Sequence, residues 1–253
     1  MLTDDSLKQI MPNLSDAKRS AYVTHLQSAM KEFEIVSPLR EAAFLAQIAH
    51  ESGEFRWMEE IWGPTATQKR YEPPTELAAQ LGNTQLGDGK RFKGRGPIQI
   101  TGRDNYRRFG DLLGLDLVSN PEAAAAPEVG FRIAGLYWKR RGLNELADVG
   151  DFEKITRRIN GGLNGQSDRL KYYARAKEVF GVASVRGTRS PVSRSLEIAD
   201  TMFHRGFEAI RAARARKKRT KTSKDRSRTF VKRSEKKSKK RIVTKKTRRG
   251  PMK

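Results

Sequence analysis

The positive charge of this chain sits at one end. Residues 181–253 hold 26 of the 52 Lys and Arg residues but 5 of the 29 Asp and Glu residues, a net charge of +21. Residues 1–180 carry the rest, a net of only +2. The sequence therefore divides into a near-neutral body, long enough to bury about two-thirds of its unfolded surface, and a polycationic extension that is not. Within the extension, residues 181–195 (GVASVRGTRSPVSRS) read as a linker. Leu196, Ala199, Phe203, Phe207 and Ile210 recur at helical spacing, so 196–216 is expected to form an amphipathic basic helix. Residues 217–253 hold too few apolar side chains to pack and are expected to be a disordered polybasic tail.

The body reads as mainly helical with a minor sheet, an α+β class. Leu2 to about Met11 and Asp16 to about Phe33 show helical patterning, the second through Tyr22, Leu26, Ala29 and Phe33. Ser37-Pro38 is a helix start, a capping serine followed by a proline suited to the first turn. That helix runs to about Glu51, with Phe44, Ile48 and Glu51 on one stripe. Gly63 to Gly102 is rich in turn-forming residues and predicts loops plus two or three short strands around KRFKG and PIQIT. Helices return from Asp104 to Phe180, punctuated by Asn120-Pro121, Ala126-Pro127, Gly142 and Gly161-Gly162. No internal repeat is evident.

Several classes of chemistry are excluded or disfavoured. The chain has no cysteine, hence no disulfide, thiolate nucleophile or thiolate zinc site. His25, His50 and His204 are scattered and have no metal-ligand spacing, so no metal is expected. No organic cofactor is implied. The N-terminus lacks an apolar signal core, and the run AAFLAQIA is far too short to cross a bilayer. The expectation is synthesis in a host cytoplasm, with any action outside it needing a release partner. Gly94 and Gly96 in KGRGP are better explained by a tight turn than by phosphate binding.

What remains is a set of carboxylates. Glu51 ends an apolar stripe, which disfavours its charged form. Glu59 and Glu60 follow in a polar stretch. On one straight helix Glu51 and Glu60 would lie about 13 Å apart along the axis and half a turn out of phase. Gly53 permits a break, after which both can face one cleft. An inverting glycosidase needs such a pair: a protonated acid for the leaving oxygen and an ionised base for the water, about 6.5–9.5 Å apart. Glu51 is the candidate acid and Glu60 the candidate base.

Three blocks, AFLAQIAHESGEFRWMEEIWGPT, LGNTQLGDGKRFKGRGPIQITGRDNYRRFG and RINGGLNGQSDRLKYY, resemble the family-19 glycoside hydrolases in order and spacing. These are chitinase-type enzymes, and the likeness is closest to their bacteriophage and prophage endolysin branch. It covers about residues 5–180. The resemblance implies a bilobal, lysozyme-like, mainly helical fold with a small sheet beside a substrate cleft, and inverting hydrolysis of β-1,4 bonds to N-acetylated amino sugars. Carried over, it makes Glu51 the general acid and Glu60 the general base, with Glu59 exchanged for Glu60 by a one-residue shift in alignment. It assigns Thr101 to the attacking water, and Gln99, Asn105, Tyr106 and Asn160 to the substrate cleft. Arg169 becomes an organising charge near the carboxylates, grouped with the substrate-binding residues. His50 is read as a hydrogen-bonding neighbour in the same site rather than a catalyst, because acid and base are already supplied. Glu54 and Trp57 stand where many relatives have Gly and Tyr and are expected to alter the cleft rim. Trp57 and Trp62 suit either sugar stacking or core packing, while Tyr137 and Trp138, on a helix with Phe131, read as core.

The expected substrate is the peptidoglycan glycan strand, with chitin oligomers as the alternative. The expected setting is host cell lysis by a monomeric endolysin reaching the periplasmic wall through a holin. The last 43 residues, 22 basic and 2 acidic, must bind polyanions with steep salt dependence. Lipopolysaccharide and anionic lipid are preferred as targets over nucleic acid or acidic wall polymer. A nucleic-acid-binding virion protein with an inert hydrolase-like body is the rival from another class.

Overall fold

The computed structural model describes residues 1–182. The linker, the amphipathic helix and the polybasic tail expected beyond them lie outside the described residues. The helices are α1 (Asp4–Ile10), α2 (Asp16–Glu32), α3 (Pro38–Ser52), α4 (Ala66–Lys69), α5 (Glu76–Gln80), α6 (Asp88–Arg91) and α7 (Arg103–Leu113). A 3-10 turn (Pro121–Ala125) then leads to α8 (Pro127–Arg140), α9 (Leu143–Asp148), α10 (Phe152–Asn160) and α11 (Gln166–Val179).

The long helices begin and end where their sequences dictate. Ser15 caps α2, and Ser37 caps α3 by accepting from the Arg40 N–H with Pro38 in the first turn. Gly53 and Gly161, both left-handed, close α3 and α10. α3 is the central helix. Every residue from Glu41 to Ala49 is buried, so it is enclosed on all sides rather than along a stripe. α11 is its main neighbour, while α2 packs chiefly on α8. Phe44 meets Trp138 edge-on at 5.3 Å, and Phe55 meets Phe131 at 5.0 Å. Tyr137 and Trp138 are core residues, as expected, and the indole N–H donates to Asn144 Oδ1 at 2.9 Å. Close packing also explains Gly135: a Cβ there would come within 2.3 Å of the Phe33 ring.

The small sheet shrinks to isolated bridges. Glu59 pairs with Arg95, and Arg95 with Ile100, both antiparallel. Three segments do lie side by side, through Glu60 N to Gly94 O (2.7 Å), Gly96 N to Met58 O (2.8 Å) and the reciprocal Arg95–Ile100 bonds. None extends further. Lys90 and Arg91 of the expected strand KRFKG belong to α6, Pro97 has no N–H to donate, and the chain reverses between Gly96 (φ 75°) and Gln99 (φ 57°). The Gly- and Pro-rich region 63–102, read as loops, also contains α4, α5 and α6, whose four or five residues are too few to show a helical period.

Candidate active site

Glu51 lies in the last turn of α3, one turn beyond Gln47 on the same face. Arg169, near the start of α11, reaches both: Nη2 donates to Glu51 Oε1 at 2.7 Å and Nη1 to Gln47 Oε1. Arg169 is 1% exposed and also donates to the Asn164 carbonyl at 3.4 Å. Gln47 in turn donates to Thr156 Oγ1 at 2.9 Å, tying the cluster to α10. Beside this pair, His50 Nδ1 sits 2.7 Å from Asp168 Oδ2. Burial, together with the Arg169 charge, holds the imidazole below its ordinary value although Asp168 favours the protonated form. The consecutive residues His50-Glu51 thus meet the consecutive residues Asp168-Arg169. Gly165, at φ 73°, makes room for the contact, because a Cβ would fall 2.4 Å from His50 Cε1 and Nε2.

After Ser52 the chain makes a left-handed turn. Gly53, Glu54 and Phe55 have φ of 60°, 58° and 59°, and the last two incur strain there. Trp57 N–H returns to the Ser52 carbonyl at 3.0 Å. Glu54 holds the turn from below. Its carboxylate is 4% exposed and accepts from Asn13 N–H (2.6 Å), Asn13 Nδ2 (2.8 Å) and Tyr172 Oη (2.8 Å). The expectation that Glu54 shapes the cleft rim is therefore corrected: it is a buried strut joining the α1–α2 loop to α11. Trp57 does lie at the surface, 44% exposed, with the Arg56 guanidinium 4.8 Å from its ring centroid. Trp62 lies beside Tyr71, with ring centroids 6.3 Å apart.

Glu59 and Glu60 have different surroundings. Glu59 takes ion pairs from Arg95 (2.8 Å) and Lys93 (3.2 Å). Burial pushes its carboxyl up, but the Lys93 and Arg95 contacts outweigh that and hold it below the usual carboxylate range. Glu60 Oε2 accepts from the Gly94 N–H at 3.0 Å, while its own N–H donates to the Gly94 carbonyl. Arg95, 3% exposed, also contacts Glu122 (3.3 Å), the Arg91 carbonyl (2.8 Å) and Tyr106 Oη (3.0 Å). Glu59 is thus one spoke of a structural Arg95 hub.

Gln99 adopts a left-handed φ of 57° and donates its side-chain N–H groups to the carbonyls of Trp57 (3.1 Å) and Gly96 (2.8 Å). Its amide oxygen is the group left to present to a ligand. Thr101 is 1% exposed and donates to the Gln99 carbonyl at 3.1 Å, and Asn105 Nδ2 donates to the Thr101 carbonyl at 2.8 Å. Tyr106 does not line the cleft: it is fully buried and donates to the Lys93 carbonyl at 2.7 Å, and burial raises its phenol above the ordinary value. Arg169, likewise enclosed, is the organising charge beside Glu51. Asn160, half-buried, spans the RINGG turn by donating to the Gly162 (3.5 Å) and Asn164 (3.3 Å) carbonyls.

Sequence reasoning missed Gln47, Glu54 as a strut, Arg95 and Asp168. Signals for two of them, Gln47 and Asp168, are present in the sequence. Gln47 is a polar residue one turn before Glu51 within the apolar run AAFLAQIA, and Asp168-Arg169 is the charge complement of His50-Glu51. Among the described residues no group of His, Asp and Glu is arranged to hold a metal ion, and no helix is long and apolar enough to span a membrane.

Comparison with known proteins identifies the class of this helical body. The Chitinase class I family model fits residues 37–147. A glycosyl hydrolase family 19 domain-containing protein of Haemophilus influenzae is 36% identical over 197 residues, covering 68% of this chain and 94% of the relative. An Arabidopsis thaliana endochitinase is 36% identical over 171 residues, covering 65% of this chain and 56% of its own length. In structure, chitinase C from Streptomyces griseus superposes with a TM-score of 0.58 at 21% identity, covering 73% of this chain and 78% of that one. A bacterial family 19 chitinase gives 0.56 at 23%, covering 73% and 97%. The fold is the lysozyme-like one of these chitinases. The chain belongs to glycoside hydrolase family 19 and is a glycoside hydrolase.

Proposed function

We propose that this hydrolase cleaves β-1,4 bonds in the glycan strands of bacterial peptidoglycan as a lysis enzyme, with Glu51 as general acid and Glu60 as general base in an inverting mechanism. The observation that carries the assignment is the contrast between the surroundings of three carboxylates. Glu59 is committed to Arg95 and Lys93. Glu51 is held at the end of a buried helix by Arg169, which Gln47 in turn positions. Glu60 is anchored by one carboxylate oxygen to the Gly94 backbone. Glu51 protonates the departing glycosidic oxygen. Glu60 takes a proton from the water that attacks the anomeric carbon from the opposite face. Gln99 and Asn160 bind sugar amide and hydroxyl groups. Thr101 supports the water through the Gln99 backbone it already bonds, and Trp57 offers an exposed ring face to a sugar.

The polycationic extension recruits the enzyme to lipopolysaccharide phosphates and anionic lipid. Each Lys or Arg near such a surface contributes about 1 kcal/mol. A holin admits the protein to the periplasm. Turbidity of outer-membrane-stripped cells tests the central reading. Wild type clears them, while Glu51→Gln and Glu60→Gln do not and Glu59→Gln retains activity; clearing by Glu51→Gln refutes the assignment. Reducing-end analysis of the fragments identifies the bond. Equal leakage of anionic vesicles by the full chain and by a chain ending at Phe180 refutes the envelope role of the extension.

A further inference from the structure

We propose that Arg56, poised over Trp57 and seconded by Lys18, is a specificity-determining cation that engages the carboxylates of the lactyl-peptide arm of peptidoglycan. The proposal rests on the peptidoglycan reading above and adds the group that would distinguish that substrate from chitin. Chitin is uncharged. Peptidoglycan carries, on alternate sugars, a lactyl-linked peptide with free carboxylates. An enzyme that prefers the second polymer gains from a cation at the cleft rim that no protein carboxylate already holds.

Most basic side chains around the site fail that requirement. Arg169 is taken by Glu51, Arg95 by Glu59 and Glu122, Lys93 by Glu59, and Arg103 by Asp88. Arg56 and Lys18 make no ion pair among the described residues. Arg56 is exposed, and its guanidinium lies 4.8 Å from the Trp57 ring centroid. Trp57 is itself fixed: its N–H bonds to Ser52, and its carbonyl accepts from Gln99. Lys18 Nζ donates to the Phe55 carbonyl at 3.2 Å, which puts a second cation on the same turn.

This turn joins Glu51 to Glu60, and its backbone is tied at Trp57 to Gln99, a proposed sugar-binding residue. A guanidinium held by an aromatic ring loses less freedom on meeting a carboxylate than a free lysine would, and its fork donates to both oxygens. Arg56 and Trp57 then act as a pair: the ring contacts the sugar and the cation contacts the acidic arm beside it.

The test compares kcat/KM on solubilised peptidoglycan glycan with intact stem peptides against kcat/KM on chitin hexamer, for wild type, Arg56→Lys, Arg56→Ala and Arg56→Glu. The expected result is a fall in the peptidoglycan-to-chitin ratio of about threefold to fivefold for Arg56→Ala. Arg56→Glu falls further and Arg56→Lys lies between wild type and Arg56→Ala. The change appears in KM for peptidoglycan, and added salt flattens it. An unchanged ratio overturns the proposal, as does an equal loss on both substrates, which would mark a structural role. If wild type cleaves chitin hexamer and leaves peptidoglycan intact, the underlying reading falls as well, and that result is visible without any variant.

Discussion

Glu54 offers a quantitative test of how the site is built. Replacing it by alanine removes a 4% exposed carboxylate and abandons three donors. A hydrogen bond to a charged group contributes about 1.5–3 kcal/mol, but exposed Asn13 regains water and returns much of its share. The half-buried Tyr172 hydroxyl regains less. The expected net loss is about 3 kcal/mol, or about 6–12 °C in melting temperature for a body of this size. The backbone adds a second criterion. Alanine still suffers at φ 58°, whereas glycine is released from about 1 kcal/mol of strain. The stability order is therefore wild type, then Glu54→Gln, then Glu54→Gly, then Glu54→Ala. Urea unfolding followed by circular dichroism measures it, and a double-mutant cycle with Tyr172→Phe isolates the shared bond. A loss below about 1 kcal/mol for Glu54→Ala, or alanine ranking above glycine, refutes the strut.

Gly165→Ala should cost about 1–3 kcal/mol and lower kcat, because the new methyl displaces His50 from Asp168; thermal melts and initial rates check both. Tyr106→Phe should cost about 1–3 kcal/mol through the lost bonds to Arg95 and Lys93, yet leave KM for chitin hexamer unchanged. Stability should fall with acid in two stages. His50 is held below its usual value, so the unfolded chain takes up that proton first, and the first decline begins near pH 6.5 as pH drops. Glu59 and Asp88 are held low despite burial, by Lys93 with Arg95 and by Arg103 respectively. Their contribution is full above about pH 4.5 and is lost as pH falls through their folded values. Urea titrations from pH 8 to pH 3 follow both stages, and His50→Gln should remove the first.

The sequence specified the long helices well because their signals are local. Ser37-Pro38, Gly53 and Gly161 act through their own backbone geometry, and α3 starts and ends where they stand. It failed where several short pieces support each other. Arg95 looks like any turn residue in KGRGP, yet it is buried among Glu59, Glu122, Tyr106 and the Arg91 carbonyl, partners 4–36 residues away. The resemblance carries Asn105 and Tyr106 over together as one substrate-lining stretch, but neighbours on a helix point about 100° apart, and Tyr106 is fully buried. Glu54 reads as a rim residue because it stands, beside Trp57, where many relatives have Gly, yet it is buried. Its positive φ, unreadable from composition, turns the side chain inward.

The spacing of the two candidate catalytic residues now has a physical explanation. Glu51 stands at the C-terminal end of α3, where the helix dipole and the buried surroundings both oppose a negative charge, while the Arg169 guanidinium favours one. Its partners come from the N-terminal turn of α11, where a negative Asp168 is favoured and can hold His50 in place. The carboxylate is thus held where the ends of two helices meet, α3 supplying it and α11 supplying the guanidinium that bonds it. Glu60 cannot occupy the same helix end without disturbing that balance. The chain must leave the axis of α3 within a few residues, and three consecutive left-handed residues, Gly53 to Phe55, achieve this. Two of those three are not glycine, so the turn needs outside support: Glu54 to Asn13 and Tyr172, Lys18 to the Phe55 carbonyl, and the Phe55 ring against Phe131. The strain and the support belong to one device, which sets Glu60 against Gly94 rather than in line with α3.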